Sequence, residues 1–525
     1  MNIATVLRAH ADEMPDTPAI IEVHRGQDRT ITFAELERQV GQAAALLWEA
    51  GLRPGDAVLV FQPMSAELYV ALIALFRLGL VAMFVDPSSG MAHVEQCCAL
   101  NPPRAFIGSP KAHLLRLASP ALRRIPRKFV IGGALPGAVS WTRASSRAPR
   151  EEVRDAGPEA PALLTFTSGS TGTPKAALRS HGFLLAQHHV LAHTFPAAPG
   201  SVSLTTLPIF VLADLASGVT SLIAAGDLRH PGRIDAAPVI GQIARHRPLR
   251  AGASPAFWER IVAHCRAHNV TLPQLRFVYA GGAPVFPRLL DALAAVAPAA
   301  QAVAVYGSTE AEPIAHIARA ETAADDVPAM LGGKGLLAGK PVPEIELRIL
   351  RDAWGTPIAP LSAAELRARC LPAGEPGEIV VSGAHVLPGY VGGYGDEESK
   401  FRVDGTVWHR TGDAGYVDAA GRLWLLGRCA AKVHDTHGTL YPFAVECAAS
   451  AHPAVHRSAL VARGGRRALA VELEPGADPA ALCVLQSDLT WAELDAVLSL
   501  RQIPVDRRHN AKVDYPALYR LLGTM

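Results

Sequence analysis

The chain has 525 residues, is 49% hydrophobic and 19% charged, and carries a net charge of +2. That is more apolar material than one core needs, so at least two domains are expected, and the balanced charge gives no reason to expect a nucleic-acid partner. The seven cysteines are odd in number and include no C-x-x-C pair, the usage of a reduced, cytoplasmic protein whose thiols pack as small apolar residues.

From the N-terminus, Arg8, Asp12 and Glu13 interrupt any apolar core of a signal peptide. Residues 56–62 (DAVLVFQ) form a short β-branched run. A helical stretch follows, with Ser65 as N-cap and Gly79 as its stop, and residues 80–86 (LVAMFVD) read as a buried strand. This βαβ unit calls for a parallel sheet. Residues 69–85 are strongly apolar, but Arg77 and Gly79 interrupt them. A membrane-spanning helix needs about 20 apolar residues, so this stretch is expected to be buried and no transmembrane segment is expected. Residues 111–128 hold Lys111, Arg116, Arg123, Arg124, Arg127 and Lys128. They read as a solvated helix face with leucines pointing inward, against the alternative of a patch for an anionic surface or partner.

The run PALLTF leads as a strand into TFTSGSTGTPK, residues 165–175. There Thr167, Ser168, Ser170 and Thr171 are interleaved with Gly169 and Gly172 and followed by Lys175. Glycines let backbone N–H groups approach a polyphosphate, hydroxyls add donors and the lysine adds charge. The spacing is not that of the G-x-x-x-x-G-K-[ST] loop. His188, His189 and His193 fall on a predicted helix without a metal-binding pattern or third ligand, and read as surface or packing residues. Residues 207–226 (LPIFVLADLASGVTSLIAAG) are apolar, and part of them is expected to be core. A second strand–helix–strand unit runs from residues 276–282 (RFVYAGG) through FPRLLDALAAVA to residues 302–308 (AVAVYGS). Both strands end in glycine-bearing loops, where ligands gather in open α/β sheets. Residues 374–390 are rich in Val, Gly and turn residues and read as antiparallel strands. Two alternating runs around Gly464 and Gly465 predict a hairpin.

TSGSTGTPK resembles the signature loop of the acyl-adenylate-forming superfamily, which includes acyl-CoA synthetases, peptide-synthetase adenylation domains and luciferases. Further motifs follow in that family's order: Gly281, Gly282, Ala283 and Pro284; YGSTE, residues 306–310; RTGDAGYVDAAGRLWLLGR, residues 410–428; and HNAKVD, residues 509–514. The resemblance implies an α/β fold, with a large N-terminal domain of parallel and mixed sheets with helices (1–428) and a small α+β C-terminal domain (429–525). It implies ATP and Mg²⁺ as cofactors. Residues 281–284 would lie along adenine and Tyr306 would stack on it, with Gly307 and Ser308 beside it. Thr309 would contact phosphate, Glu310 and Thr167 would hold Mg²⁺, Asp413 would accept from the ribose hydroxyls with Arg428 assisting, and Lys512 would be the catalytic lysine. It also implies rotation of the small domain between two half-reactions. Ala176 and Ala430 depart from the family pattern, as does Ala511, where acyl-CoA ligases have Gly.

Residues 207–218, 306–315 and the VDRRHNAKVD ending resemble one branch, the β-lactone synthetases of bacterial olefin biosynthesis. That branch implies a β-hydroxy acid substrate whose own hydroxyl displaces AMP. Phe210, Val211 and Leu212 are candidates for the acyl-pocket wall, and Asp214 lies too late to catch an α-amino group. Partners would be a hydroxy or fatty acid and, through the pathway, other lipid or olefin enzymes. The alternatives are a fatty acyl-CoA ligase, for which CoA would be the acceptor, and a non-catalytic AMP-binding homologue. His434, His437 and His509 are candidate bases for the hydroxyl, with backbone-bonded loop histidines the more ordinary reading.

Overall fold

The computed structural model describes residues 2–86, 89–168, 174–506 and 511–523. The chain forms two compact units, residues 1–225 with 387–396, and residues 226–386 with 397–525. Its mixed α/β character is the expected class.

In the first unit the strand Ala57–Phe61 leads into the helix Ala66–Arg77, where the Ser65 hydroxyl accepts from the Leu68 N–H at 3.4 Å. The helix ends at Gly79, whose φ of +68° is costly for a residue with a Cβ. The chain returns as Val81–Phe84, parallel to Ala57–Phe61. This sheet runs in the order Val139–Ser140, Arg127–Val130, Ala105–Gly108, Ala57–Phe61, Val81–Phe84, Pro161–Ser168, Pro174–Ser180. Every residue of Ala66–Arg77 except Glu67 is buried, as the apolar run requires. Arg77 is tolerated there because its guanidinium donates to the Glu37 carboxylate at 2.5 and 2.6 Å and to the Arg150 carbonyl at 3.0 Å. Four further strands of this unit align Val202–Thr205, Thr220–Ile223 and Pro18–His24 in parallel, with Gln27–Thr32 antiparallel beyond them.

One expectation is corrected in this unit. In the helix Pro110–Ala118 the inward residues are His113, which is buried, and Ala112 and Leu115, which pack on the core. Leu114 and Leu117 point outward and are 60% and 78% exposed. At 3.6 residues per turn, positions 112, 113 and 115 fill the core-facing stripe, so 114 and 117 are rotated away from it.

In the second unit Arg250–Ala253, Phe277–Gly281 and Gln301–Ser308 are parallel neighbours. Ala311–Ala318 folds back antiparallel on Gln301–Ser308. Leu336–Pro341, Leu423–Arg428, Thr406–Val417, Gly377–Ser382 and Glu346–Leu350 continue the sheet in antiparallel pairs. Of residues 374–390, only Gly377–Ser382 forms a strand; beyond it Gly383, Pro388 and Gly389 break the ladder. Residues 429–525 include the predicted hairpin, Val455–Arg463 with Arg466–Leu473, turning at Gly464 (φ +58°) and Gly465 (φ +76°). Alternate residues serve opposite faces. Leu460, Leu469 and Val471 join a core with Ala444 and Val445 of the helix Pro442–Ser450. Ala459, Val461 and Ala470 join another with Leu518 of the helix Tyr515–Leu522. The seven cysteines form no disulfide, and among the described residues no helix is long and apolar enough to cross a membrane.

Candidate active site

The strands Phe277–Gly281 and Gln301–Ser308 run parallel with Gly281 opposite Val305, so their loops emerge at the same end of the sheet. A Cβ on Gly281 would lie 3.1 Å from the Val305 carbonyl oxygen, and Gly282 has φ +83°. Glycine is therefore what the backbone needs at both positions. Ala283 and Pro284 follow, half-buried. On the neighbouring strand the Tyr306 hydroxyl donates to Asp413 Oδ2 at 2.8 Å. Asp413, on Thr406–Val417, sits directly opposite Arg428 in the ladder, and Arg428 donates to Asp413 Oδ1 at 3.0 Å and to the Thr411 carbonyl at 3.0 Å. A phenol and a guanidinium thus hold one carboxylate between them. Each carboxylate oxygen retains a lone pair for a further donor, such as a sugar hydroxyl. Burial, reinforced by Asp413, raises the Tyr306 phenol well above its ordinary pKa, so it stays a protonated donor.

Beyond Tyr306, a Cβ on Gly307 would lie 3.1 Å from the Ala311 carbonyl oxygen. Ser308 pairs with Ala311 across the hairpin, which leaves Thr309 and Glu310 as its turn. The Glu310 N–H donates to the Ser308 hydroxyl at 3.2 Å. The half-buried Glu310 carboxylate beside two hydroxyl residues is an oxygen donor set, which fits a hard divalent cation.

Two supports of this site carry no role in the sequence reading. His409 is buried, with Nδ1 3.0 Å from the Ser399 carbonyl oxygen. Burial, with Lys400 adding to it and Glu310 opposing, pushes its pKa down to about 3. It is a neutral imidazole near Glu310 at ordinary pH. Arg410 is fully buried and donates to both oxygens of the equally buried Glu378 at 2.8 and 2.7 Å, and to the carbonyls of Thr356 (2.7 Å) and Ala353 (3.1 Å). Its guanidinium lies 5.3 Å from the centre of the Trp354 ring. The same ring covers Gly412 (φ +71°), where a Cβ would come within 2.9 Å of it. The backbone that presents Asp413 is therefore clamped one residue before it. The only sequence signal for either residue was its place immediately before the TGD triplet.

Lys512 is exposed, and the backbone there is tied to residues 505 and 506. The Asp506 N–H donates to the Lys512 carbonyl at 2.8 Å, Asp506 Oδ1 accepts from the Lys512 N–H at 2.9 Å, and Val505 bridges Val513. His509 lies outside the described residues. His434 Nδ1 is 2.8 Å from the Thr439 hydroxyl, and His437 Nδ1 is 3.0 Å from a Glu493 carboxylate oxygen.

In the first unit, Gly169, Ser170, Thr171 and Gly172 lie outside the described residues, while Thr167 and Ser168 close the strand Pro161–Ser168. Lys175 pairs with Thr167 in the ladder and is 8% exposed. Its Nζ is 5.7 Å from the Tyr390 ring centre, and its stem lies so close to Gly395 (φ +91°) that a Cβ there would be 2.5 Å from Lys175 Cε. The Tyr390 N–H donates to Asp396 Oδ1 at 2.9 Å. Neither Tyr390 nor Gly395 was singled out in the sequence. Phe210, Val211 and Leu212 lie on the helix Pro208–Ala216. Val211 and Leu212 are buried, whereas Phe210 is half-buried and its ring lies 5.8 Å from that of Phe195. Asp214 is buried and accepts from the Ser221 hydroxyl at 2.9 Å. His189 and His193 lie one turn apart on His181–Thr194, ring centres 4.2 Å apart.

The AMP-binding enzyme family matches residues 7–391. An olefin β-lactone synthetase of Xanthomonas campestris pv. campestris is 33% identical over 98% of this chain and 96% of its own length. One of Stenotrophomonas maltophilia is 34% identical, with the same coverage. An indoleacetate–CoA ligase of Aromatoleum aromaticum is 29% identical over 88% of this chain and 85% of its own. An anthranilate CoA ligase structure in complex with anthranoyl-AMP superposes with a TM-score of 0.84 at 18% identity, covering 100% of this chain and 98% of that one. An amide bond synthetase from Marinactinospora thermotolerans gives 0.80 at 22% identity, covering 99% of each chain.

Proposed function

The chain belongs to the AMP-binding enzyme family, and on that premise we propose that it activates a long-chain β-hydroxy acid as its acyl-adenylate and closes it to a β-lactone. That it is an ATP-dependent, AMP-forming ligase or synthetase follows from the family and its named relatives. The lactone reading rests on one observation: two relatives named olefin β-lactone synthetases match this chain at 33% and 34% identity over 98% of its length.

In the first half-reaction a substrate carboxylate oxygen bonds to the α-phosphorus of ATP, and the bond to pyrophosphate breaks. Asp413 accepts from the ribose hydroxyls, with Tyr306 and Arg428 fixing its two oxygens in advance. The loop 167–172 and Lys175 receive phosphate, and Gly281 to Pro284 leave room for the adenine. Glu310 and Thr167 would hold Mg²⁺, which when bound offsets the charge of the phosphates. Lys512 stabilises the charge that develops in the transition state. Phe210, Val211 and Leu212 contribute to the acyl pocket. In the second half-reaction the substrate's β-hydroxyl oxygen attacks its own acyl carbon, AMP leaves, and the hydroxyl proton passes to water. The nucleophile is already tethered to the electrophile, so no second substrate has to be bound. We further propose that residues 429–525 act as a domain that rotates between the two steps.

A fatty acyl-CoA ligase is the second reading, favoured by ligase relatives at 29% identity. Incubation with ATP, Mg²⁺ and a long-chain β-hydroxy acid, without CoA, decides between them. AMP together with lactone is the expected result; product that forms only when CoA is added would overturn it.

A further inference from the structure

The chain is nearly neutral overall, with a net charge of +2, yet the residues between Glu95 and Glu151 include ten Lys or Arg and no Asp or Glu. Part of this charge is neutralised from outside the segment: Arg147 pairs with Glu49 at 2.8 Å and Arg150 with Glu152. The cations from Lys111 to Lys128 are different. Arg123 donates to the Arg116 and Leu117 carbonyls, Arg127 to the Ala50 carbonyl, and Lys128 to those of Arg123 and Ile125. Among the described residues none of these basic side chains has an acidic partner. The nearest acid in sequence, Glu95, accepts from the Ser119 hydroxyl and the Ala121 N–H, so it is engaged at a helix start.

The helix Pro110–Ala118 carries Lys111, Leu114 and Leu117 at three-residue steps, hence on one stripe. Leu114 and Leu117 are 60% and 78% exposed. Ala112 and Leu115 already satisfy the core, so packing does not account for the outer leucines. The Arg123 guanidinium, 2.8 Å from the Leu117 carbonyl oxygen, flanks the far end of the stripe, and Arg124 is exposed beside it. The surface is two adjacent apolar side chains between uncompensated cations.

We propose that this ridge docks the protein on an anionic lipid bilayer, with Leu114 and Leu117 entering the headgroup–acyl boundary and Lys111, Arg123 and Arg124 contacting lipid phosphates. The combination selects that partner. A nucleic acid would use the cations but offers no apolar phase for the leucines, whereas a bilayer supplies an anionic layer directly above an apolar one. The proposal goes beyond the activity and does not depend on which acid is activated.

The full-length protein is tested by flotation with vesicles of phosphatidylcholine containing phosphatidylglycerol, against pure phosphatidylcholine, at low and high salt. Binding to the anionic vesicles, weakened by salt, is expected. Leu114→Ser/Leu117→Ser should reduce it roughly tenfold at constant charge, and Lys111→Glu/Arg123→Glu/Arg124→Glu at least as much. Both variants should retain wild-type ATP–pyrophosphate exchange with a water-soluble acid, which shows that they fold. No vesicle binding, equal binding to neutral vesicles, or binding unchanged in both variants would overturn the proposal. So would binding to heparin or duplex DNA that matches vesicle binding and is untouched by the leucine substitutions, since the ridge would then serve a soluble polyanion.

Discussion

Asp413 is held from both sides, by Tyr306 at 2.8 Å and Arg428 at 3.0 Å, so the protein's own groups set its geometry. Replacing Asp413 with Ala removes the acceptor altogether and should raise the KM for ATP by roughly 10- to 100-fold, the worth of a charged hydrogen-bond acceptor. Tyr306→Phe removes only one support, and a change of about fivefold is expected in the same steady-state measurement. Lys512→Ala should lower ATP–pyrophosphate exchange by about 10²- to 10³-fold while calorimetric ATP binding persists. Normal exchange by that variant would show that the lysine has another role. Two buried groups give stability opposite pH dependences. Burial pushes Glu446, which accepts from the Leu460 N–H and the Tyr515 hydroxyl, up to about 7 from an ordinary 4.5. The folded protein then keeps a proton that the unfolded chain releases, so this contribution is present at low pH and is lost as pH rises through 7. Relative to Glu446→Gln, the wild type should lose on the order of 3 kcal/mol between about pH 5 and about pH 8 in parallel denaturant titrations. His409, pushed down to about 3, acts the other way: its contribution is present above the ordinary 6.5 and fades as pH falls through about 3.

At the scale of elements, the strand Thr406–Val417 does more than display Asp413. Arg410 and Glu378 are both fully buried, and Trp354 bridges from Arg410 to Gly412. Gly412→Ala would place a methyl 2.9 Å from that ring at φ +71°. The strand should shift, so melting temperature and ATP affinity fall together, whereas a surface strand substitution would leave both near wild type. Glu378→Gln should cost roughly 3 to 5 kcal/mol in chemical denaturation, because Arg410 would remain buried without its counter-charge. Sequence pattern was strong for elements of this kind. The βαβ run from Ala57 to Phe84, the Phe277–Ser308 unit and the Gly464–Gly465 hairpin were all legible because each rests on a local period and a local stop signal. It was weak where the governing contact is distant. Nothing near Leu114 in the chain tells that Ala112 and Leu115 already fill the core.

At the scale of the molecule, residues 429–525 have cores of their own, yet they are tied to the preceding residues of their unit. Lys432 pairs with Asp352 at 2.7 Å, the Tyr441 hydroxyl donates to the same carboxylate at 3.0 Å, and Arg288 donates to the Val455 carbonyl at 3.0 Å. If these residues rotate between half-reactions, Asp352→Ala should change the rate of AMP release after adenylation more than the rate of adenylation itself, as single-turnover measurements would show. Equal effects on both steps would argue against the rotation. The order of motifs along the chain sufficed for the family: a glycine-rich hydroxyl loop, an aromatic–carboxylate pair and a late lysine are recognisable because each is a short run whose spacing survives in one dimension. Which groups support them was settled by packing alone. Arg410, Trp354, His409 and Tyr390 are common residues at unremarkable positions, and they acquire meaning only when folding brings Arg410 against Glu378, Trp354 against Gly412, His409 near Glu310 and Tyr390 near Lys175. Burial and hydrogen-bond partnership are properties of the neighbourhood, and a chain read one residue at a time does not contain its neighbourhood.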